Sequence, residues 1–209
     1  MSNTVVLKKH KNHKQEDKYH HGNLREALIE AGLQMLEYHG VDGLGLRRLA
    51  RALDVSQTAL YSHFKNKTEL MAALAEVGFQ QLSMQMIDTV ADPTDAKQRV
   101  LDLAEGYIAF ALKNPSVFSL MFGRELSEMH NYPTLAMTAG KSYALFSAAV
   151  TDALKDNEAA SPRTTTNALW SLVHGTAVLA VDGKLVVADK NDLSGFVAEQ
   201  LSPLLDVFV

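Results

Sequence analysis

Helical periodicity, divided by capping residues at short intervals, is the feature of this sequence that most limits its fold. Asn23 with Glu26, and Asn66 with Glu69, have the spacing of a capping box, and Ser56 has the form of an N-cap. Between and after these positions, apolar residues recur at intervals of three and four, the spacing of one helix face. We therefore expect an all-α fold.

The pattern predicts about nine helices, which lie at 24–40, 46–53, 57–64, 67–90, 95–113, from 115, and at 133–155, 164–181 and 192–207. One signal competes with this interpretation, because the apolar runs 178–181 and 185–188 flank Asp182-Gly183, a hairpin signature. We favour a helix that ends near this glycine, because nothing breaks the helical pattern over 164–181.

Charge is distributed unevenly along the chain. Residues 1–67 hold 11 Lys and Arg against 7 Asp and Glu, whereas residues 68–209 hold 9 against 17. A basic N-terminal part on an acidic body predicts contact with a polyanion, although a solubilising arm on an ordinary domain fits the charge equally well. Residues 1–20 are polar and rich in lysine, and we expect a flexible basic arm that touches the DNA minor groove or backbone.

Composition excludes several classes of protein. The chain has no cysteine, which excludes disulfide frameworks, thiol nucleophiles and Cys-ligated metal sites. No apolar segment follows the N-terminal lysines and no apolar run is long enough to cross a bilayer, so we expect a soluble, cytoplasmic protein without a signal peptide. We predict no cofactor and no metal site, because the N-terminal histidines are irregularly spaced and lack supporting carboxylates; they are His10, His13, His20 and His21.

The two short helices predicted at 46–53 and 57–64 have the form of a helix-turn-helix, whose second helix reads DNA. At about 100° per residue, polar side chains share one arc of this second helix, with Gln57 at its edge; they are Thr58, Tyr61, Ser62 and Lys65. Glutamine reads adenine edges, whereas tyrosine and lysine reach phosphates. The apolar Ala59, Leu60 and Phe64 face the supporting helices. The alternative is a solvated polar face on a small helical unit.

Lys67 lies in the first turn of the fourth predicted helix, where the helix dipole disfavours a cation. A phosphate at this position would be held by the lysine and by free backbone N–H groups together. The alternative is a fully solvated lysine at a small cost in free energy.

These motifs resemble the N-terminal domain of TetR-type regulators over about residues 24–79. The residues that carry the resemblance are Gly40-Val41-Asp42-Gly43-Leu44, Leu49-Ala50-Arg51, Val55-Ser56, Leu60-Tyr61-Ser62-His63-Phe64 and Lys65-Asn66-Lys67-Thr68-Glu69-Leu70. Downstream, Trp170 and His174-Gly175 are similar to the W…HG signature of one C-terminal domain type in that family, and 107–123 is similar to its tyrosine-rich segment containing Asn-Pro.

The resemblance implies a helix-turn-helix DNA-binding domain at 21–66 and a ligand-binding and dimerisation domain at 67–209, whose first helix, 67–90, connects the two. The DNA contacts that it implies are Arg47, Gln57, Thr58, Tyr61, His63 and Lys67. Two positions depart from the family pattern. Gly45 stands where the family usually has a Ser or Thr cap that touches a phosphate. Asp54 stands where it usually has Gly, which is tolerable because Asp adopts the left-handed conformation.

The C-terminal helices of family members bind a small molecule and dimerise. Trp170 and His174, four residues apart, share a helix face. We expect a hydrophobic or amphipathic ligand to contact aromatic and adaptable side chains, namely Tyr107, Phe118, Met121, Phe122, Trp170 and His174. The alternative is plain core, in which His174 is a hydrogen-bonded buried histidine.

The last two predicted helices are rich in Ala, Leu and Val. Two such helices from each chain predict a four-helix bundle across a twofold axis, and thus a homodimer that reads a palindromic operator in double-stranded DNA. The alternative is intramolecular packing alone.

The main functional hypothesis is a sequence-specific transcriptional regulator, a repressor released from its operator by a small molecule. The first alternative is a DNA-binding regulator whose C-terminal domain only dimerises; a filled core would favour it, and a cavity would favour the main hypothesis. The second is an all-helical enzyme. Asp102, Glu105 and His174 are acid–base types, but no catalytic arrangement, metal motif or Gly-rich phosphate loop is present, so we predict no catalytic residues.

Overall fold

The structure, a computed structural model, describes residues 24–187 and 192–208. Within these ranges the chain forms nine α-helices and no strand, which confirms the expected all-α fold. The helices are α1 (Leu24–Gly43), α2 (Leu46–Ala52), α3 (Gln57–Tyr61), α4 (Lys67–Thr89), α5 (Ala96–Lys113), α6 (Pro115–Met121), α7 (Pro133–Ala153), α8 (Pro162–Val181) and α9 (Leu193–Phe208). Two single-turn 3-10 helices, Arg124–Leu126 and Met129–Asn131, connect α6 to α7.

Three expectations lie outside the described residues: the basic arm at 1–20, the histidines at 10–21, and the Asn23 cap. The helices of the described part include none that is long and apolar enough to cross a membrane.

Helices α1, α2 and α3 pack together at the N-terminal end of the described chain, and we call them the head. Leu28, Leu36, Leu49 and Leu60 are buried in it. α1 is interrupted at Gly40, where φ is 63°, a conformation that glycine adopts without steric cost. The chain turns there into the connection over 41–45 that leads to α2.

The turn between α2 and α3 has the geometry expected of a helix-turn-helix. Asp54 adopts a φ of 53°, the left-handed conformation that the resemblance implied for this position. The Val55 N–H donates to the Ala50 carbonyl at 3.0 Å, and the Ser56 side chain accepts from the Ala59 N–H at 3.1 Å. The predicted Ser56 cap is confirmed.

The start of α4 is capped almost as predicted. The Asn66 side chain accepts from the Glu69 N–H at 2.9 Å. The Glu69 carboxylate accepts from the Lys65 N–H at 2.6 Å, one residue before the N–H that a capping box uses. Two backbone donors at this helix start are thus satisfied by side chains.

α4 carries the hydrophobic core from the head into the rest of the molecule. Near its start, Leu70 and Leu74 pack against Gly32 of α1, where a β-carbon would lie 3.0 Å from the Leu74 side chain. Farther along, Leu82 and Met86 are fully buried against the remaining helices, which we call the body. The head therefore shares its core with a helix that extends into the body.

α5 is the central helix of the body and packs against α4, α7, α8 and α9. Its Asp102 is buried and accepts hydrogen bonds from the Ala91 N–H at 3.0 Å and from Gln98 Nε2 at 2.7 Å. These bonds tie the segment after α4 to α5, so Asp102 has a structural role.

At Asp182-Gly183 the sequence allowed either a hairpin or a helix C-terminus, and α8 ends there. Gly183 has a φ of 68°, and the Lys184 N–H donates to the Leu179 carbonyl at 2.8 Å, which is a helix C-terminal motif. Residues 185–187 form no strand. The prediction of a helix ending here is confirmed.

The closest approach of α4 to α5 occurs at Gly106. A β-carbon at this position would lie 2.7 Å from the Met86 Cα and 2.9 Å from the Gln85 carbonyl oxygen. Both are backbone atoms, so neither can move aside without shifting α4. Only glycine allows this approach.

We expect Gly106→Ala to lower the free energy of unfolding by about 2 kcal/mol, because overpacking forces the two helices apart. The matched control is Gly140→Ala on α7, where a β-carbon meets nothing within 4 Å. That variant should be neutral or more stable by up to about 1 kcal/mol. Urea unfolding followed by circular dichroism measures both; equal effects of the two substitutions would contradict the proposed packing.

Candidate functional site

A groove of about 600 Å³ opens on the head between α2, the connection over 41–45 and the start of α4. We call it the basic groove, after its cationic side chains Arg47, Arg48, Arg51, Lys65 and Lys67. Tyr61 of α3 borders it and is 43% exposed. Asp42 is the one acidic side chain among the residues that line it. Such a surface attracts a polyanion.

Two of these cations hold the connection over 41–45 in place. Arg48 Nη1 donates to the Gly43 carbonyl at 2.8 Å, and Lys67 Nζ donates to the Val41 carbonyl at 2.9 Å. Lys67 is therefore half-buried and hydrogen-bonded, and the alternative of a fully solvated side chain is wrong. An ammonium has three N–H donors, so Lys67 can hold the connection and still bind an anion.

α3 presents a polar face and buries an apolar one, as the sequence predicts. Gln57, Thr58 and Tyr61 are exposed, whereas Leu60 and Phe64 are almost fully buried. Gln57 and Thr58 lie at the start of α3, and Tyr61 lies at its end, where it borders the basic groove.

Two other residues of this segment are placed differently. Ser62 Oγ donates to the Ala59 carbonyl at 2.7 Å, within its own helix end. His63 is half-buried and lines a separate cleft with Arg25 and Tyr132, which faces the start of α7. The structure brings Arg47, Tyr61 and Lys67 together in the basic groove, but it does not place His63 there.

Arg48 and Arg51 also line the basic groove, although neither is among the predicted DNA contacts. Arg51 lies four residues after Arg47, which puts the two on one helix face. That spacing was a usable signal for Arg51. Nothing local predicts that Arg48 reaches back to the Gly43 carbonyl.

α2 begins at Gly45 without a side-chain cap. The backbone there is extended, with φ −158° and ψ 133°, and a β-carbon would meet nothing within 4 Å. The first N–H groups of α2 therefore lack the hydroxyl partner that a Ser or Thr would supply.

In the body, five of the six residues expected to contact a ligand pack together, and we call them the aromatic cluster: Tyr107, Phe118, Phe122, Trp170 and His174. The Tyr107 ring centroid lies 5.1 Å from that of Trp170 and 5.8 Å from that of Phe118, both edge to face. Tyr107 and Phe118 are fully buried. The aromatic cluster thus fills the centre of the body.

A hydrogen bond of 2.9 Å joins the Tyr107 hydroxyl to His174 Nδ1. Burial raises the pKa of Tyr107 far above its ordinary value, and burial lowers the pKa of His174. The phenol and the imidazole are therefore both neutral at pH 7.

A recess of about 230 Å³ lies at the edge of the aromatic cluster, between α6 and the end of α8, and we call it the recess. It is lined by Phe118, Ser119, Phe122, His174, Val178, Val181 and Asp182. Phe122 forms its outer wall and is 38% exposed. Ligand pockets are usually about 300–1,000 Å³, so the recess accepts a small molecule or one end of a larger one.

The remaining predicted ligand contacts lie away from the recess. Met121 is buried against α4, where a β-carbon on Gly78 would lie 2.6 Å from the methionine sulfur. Trp170 packs against Tyr143 and Phe146 of α7 at 5.5 and 5.6 Å. Val178 and Val181 also line the recess, although neither is among the predicted ligand contacts. They follow His174 by four and seven residues and so share its helix face.

The two parts of the chain match two family models. The model described as bacterial regulatory proteins of the tetR family matches residues 28–74. The model described as a tetracyclin repressor-like C-terminal domain matches residues 100–201. The first contains the head with the start of α4, and the second contains α5 to α8 and the recess.

The chain is also similar to individual proteins. The chain is 29% identical to an uncharacterized HTH-type transcriptional regulator of Bacillus subtilis, YobS, over 76% of this chain and 79% of that protein. It is 56% identical to the class C tetracycline repressor protein of Escherichia coli over 25% of this chain and 24% of that one. A solved structure of a protein with unknown function from Rhodococcus sp. RHA1 is 30% identical, with a TM-score of 0.72 over 92% of this chain and 97% of that one.

We expect Gly45→Ser to raise the affinity for duplex DNA about threefold or more, because the hydroxyl caps α2 and donates to a phosphate next to the basic groove. There is open space for the new side chain. The control is Gly140→Ser on α7, which also adds a hydroxyl in open space. Fluorescence anisotropy with a labelled duplex measures both; an unchanged or weaker affinity in Gly45→Ser would contradict a phosphate contact at this position.

Proposed function

The chain belongs to the TetR family of DNA-binding transcriptional regulators, and on this premise we propose that it is a homodimeric repressor released from a palindromic operator by a small apolar molecule. The observation that carries the proposal is the juxtaposition of the basic groove with the polar face of α3 on a head whose core continues through α4 into the body.

The surface of the head supports contacts to bases by one group of residues and contacts to phosphates by another. Arg47, Gln57 and Thr58 are exposed at the starts of α2 and α3, where the residues of a recognition unit reach base edges. Tyr61 and Lys67 border the basic groove and suit phosphates. A backbone contact by His63 stays a prediction, since this side chain lies in a separate cleft.

The body supports a ligand site at the recess. Apolar side chains form most of its wall, and His174 and Ser119 add polar groups, which is the composition of small-molecule sites. Its size favours one part of a ligand, and the half-exposed ring of Phe122 is the wall that can turn to enlarge it. The filled aromatic cluster favours the alternative, a DNA-binding regulator whose C-terminal domain only dimerises. The ligand-binding experiment on the recess, described below, decides between the two functions.

The outer face of α8 and α9 supports a homodimer. Leu179, Leu204 and Val207 are exposed apolar side chains on these helices, and Gly175 adds an open surface where a partner helix approaches closely. Exposed apolar patches on helices are typical of protein interfaces. α8 also carries His174 and Val178 of the recess, so a molecule in the recess lies next to the face that would set the dimer geometry.

The side chains with acid–base chemistry have other partners. Asp102 accepts from Ala91 and Gln98, and His174 is bonded to the neutral phenol of Tyr107. We therefore propose a binding role rather than a catalytic one for His174, in keeping with the family.

The assignment of bases and phosphates is testable with DNA selected from random duplexes by the purified protein. Gln57→Ala should change the preferred base at one position of each half-site, because its amide reads a base edge. Lys67→Ala should weaken binding to all sequences about equally and lower the log–log salt slope by about 1 for each protomer. The wild-type slope should have a magnitude of at least about 4 for the dimer.

The control for both is Lys113→Ala, which removes an exposed cation from the body at the end of α5. An unchanged sequence preference in Gln57→Ala would refute base reading by this residue, and a flat salt response would refute the basic groove as a phosphate-binding surface.

A further inference from the structure

The hydrogen bond between Tyr107 and His174 has a consequence for the recess. The Tyr107 hydroxyl is buried and has one hydrogen to donate. Among the described residues its partner within hydrogen-bond distance is His174 Nδ1, at 2.9 Å. A buried hydroxyl hydrogen without an acceptor is strongly unfavourable, so the phenol donates and Nδ1 accepts.

This direction fixes the tautomer of His174. A neutral imidazole carries its proton on one nitrogen only, and Nδ1 is the acceptor, so the proton is on Nε2. If the proton were on Nδ1, or on both nitrogens, the Tyr107 hydrogen would lose its acceptor. Burial lowers the pKa of His174, which also favours the neutral ring.

The second nitrogen of His174 has no partner among the described residues. The Nδ1 edge of the ring is turned to Tyr107 in the centre of the body, and the same ring lines the recess. The opposite edge of the ring, with its N–H, therefore borders the recess, and the His174 ring centroid lies 5.7 Å from that of Phe118 and 4.6 Å from that of Phe122.

Charge at the recess is limited to one exposed ion pair. Asp182 lines it, but its carboxylate is paired with the Lys184 ammonium at 2.9 Å. His174 is neutral, and Ser119 contributes a hydroxyl. An ammonium or a carboxylate entering this site would lose its hydration without gaining a free counter-charge.

We infer that His174 presents Nε2–H to the recess as a fixed hydrogen-bond donor, so that the recess selects uncharged apolar molecules that carry a carbonyl-type acceptor. This inference rests on the recess being the effector site proposed above. Tyr107 acts as a positioning residue, because it sets the tautomer of His174 without contacting the ligand.

The first test is nuclear magnetic resonance of the imidazole nitrogens in the full chain labelled with ¹⁵N-histidine. In the wild type at pH 8, His174 should show a protonated Nε2 and an unprotonated Nδ1. Tyr107→Phe should release the tautomer, so that a protonated Nδ1 becomes populated. The matched control is Tyr143→Phe, whose hydroxyl donates to Asn167 instead, and there the tautomer should not change. A protonated Nδ1 in the wild type would overturn the inference without any variant.

The second test uses two probes of equal shape, acetophenone and α-methylstyrene, in which a C=O of one replaces a C=CH₂ of the other. Their dissociation constants are measured through Trp170 fluorescence, since its ring lies 5.1 Å from that of Tyr107, and through the His174 nitrogen shifts. The preference for the ketone is the dissociation constant of α-methylstyrene divided by that of acetophenone. His174→Leu should lower this ratio about three- to tenfold relative to the wild type, because one hydrogen bond is lost. Taking this ratio removes the difference in hydrophobicity between the probes.

Three outcomes would overturn the inference. The first is that His174→Leu keeps the ketone preference of the wild type. The second is that Ser119→Ala loses this preference instead. The third is that neither probe binds the wild type at the highest concentration its solubility allows. Thermal unfolding checks that each variant is folded. Operator affinity is measured separately in the same samples. If acetophenone binds as described but leaves operator affinity unchanged, the donor assignment stands and the proposed ligand-released switch fails.

Discussion

The course of α4 from the head into the body, within one continuous hydrophobic core, is the constraint on which the rest of the structure depends. Its first turns pack on Gly32 of α1, and its later turns pack on α5 so closely that only Gly106 fits. A side chain such as Leu74 therefore belongs to the head, whereas Met86 belongs to the body. Because close-packed helices shift as units, we propose that a change in the body reaches the basic groove through α4, which begins at Lys67.

The basic groove and the recess have one feature in common. In each, a hydrogen bond to a second group fixes the orientation of a polar group. Lys67 and Arg48 hold the connection over 41–45 through the carbonyls of Val41 and Gly43. In the body, Tyr107 holds His174. Preorganisation of this kind lowers the entropy that binding must overcome, so it favours the binding roles proposed for both places.

The fold was largely predictable from local signals, because caps such as Ser56 and the apolar spacing along each helix act within one turn of chain. The left-handed conformation of Asp54 was implied by the family resemblance and not by a local signal. Long-range contacts were not predictable: the Lys67 side chain reaches Val41, 26 residues away, and Met121 turns to α4 rather than to the recess. Periodicity shows that a side chain is buried, but not which neighbour it meets.

The central claim is that occupancy of the recess changes the spacing of two heads in a dimer. Because the chain has no cysteine, Tyr38→Cys, at a position 75% exposed on α1, accepts one spin label for each protomer. The measurement is the distance between labels by double electron–electron resonance, with and without Val178→Trp, which fills the recess without any ligand. The control is Val186→Trp, at a position 78% exposed. The account predicts a defined distance between protomers that shifts by several ångströms in Val178→Trp only (a helix displacement of order 1–5 Å), with weaker operator binding. No distance between protomers, or the same distance in all three proteins, would contradict it.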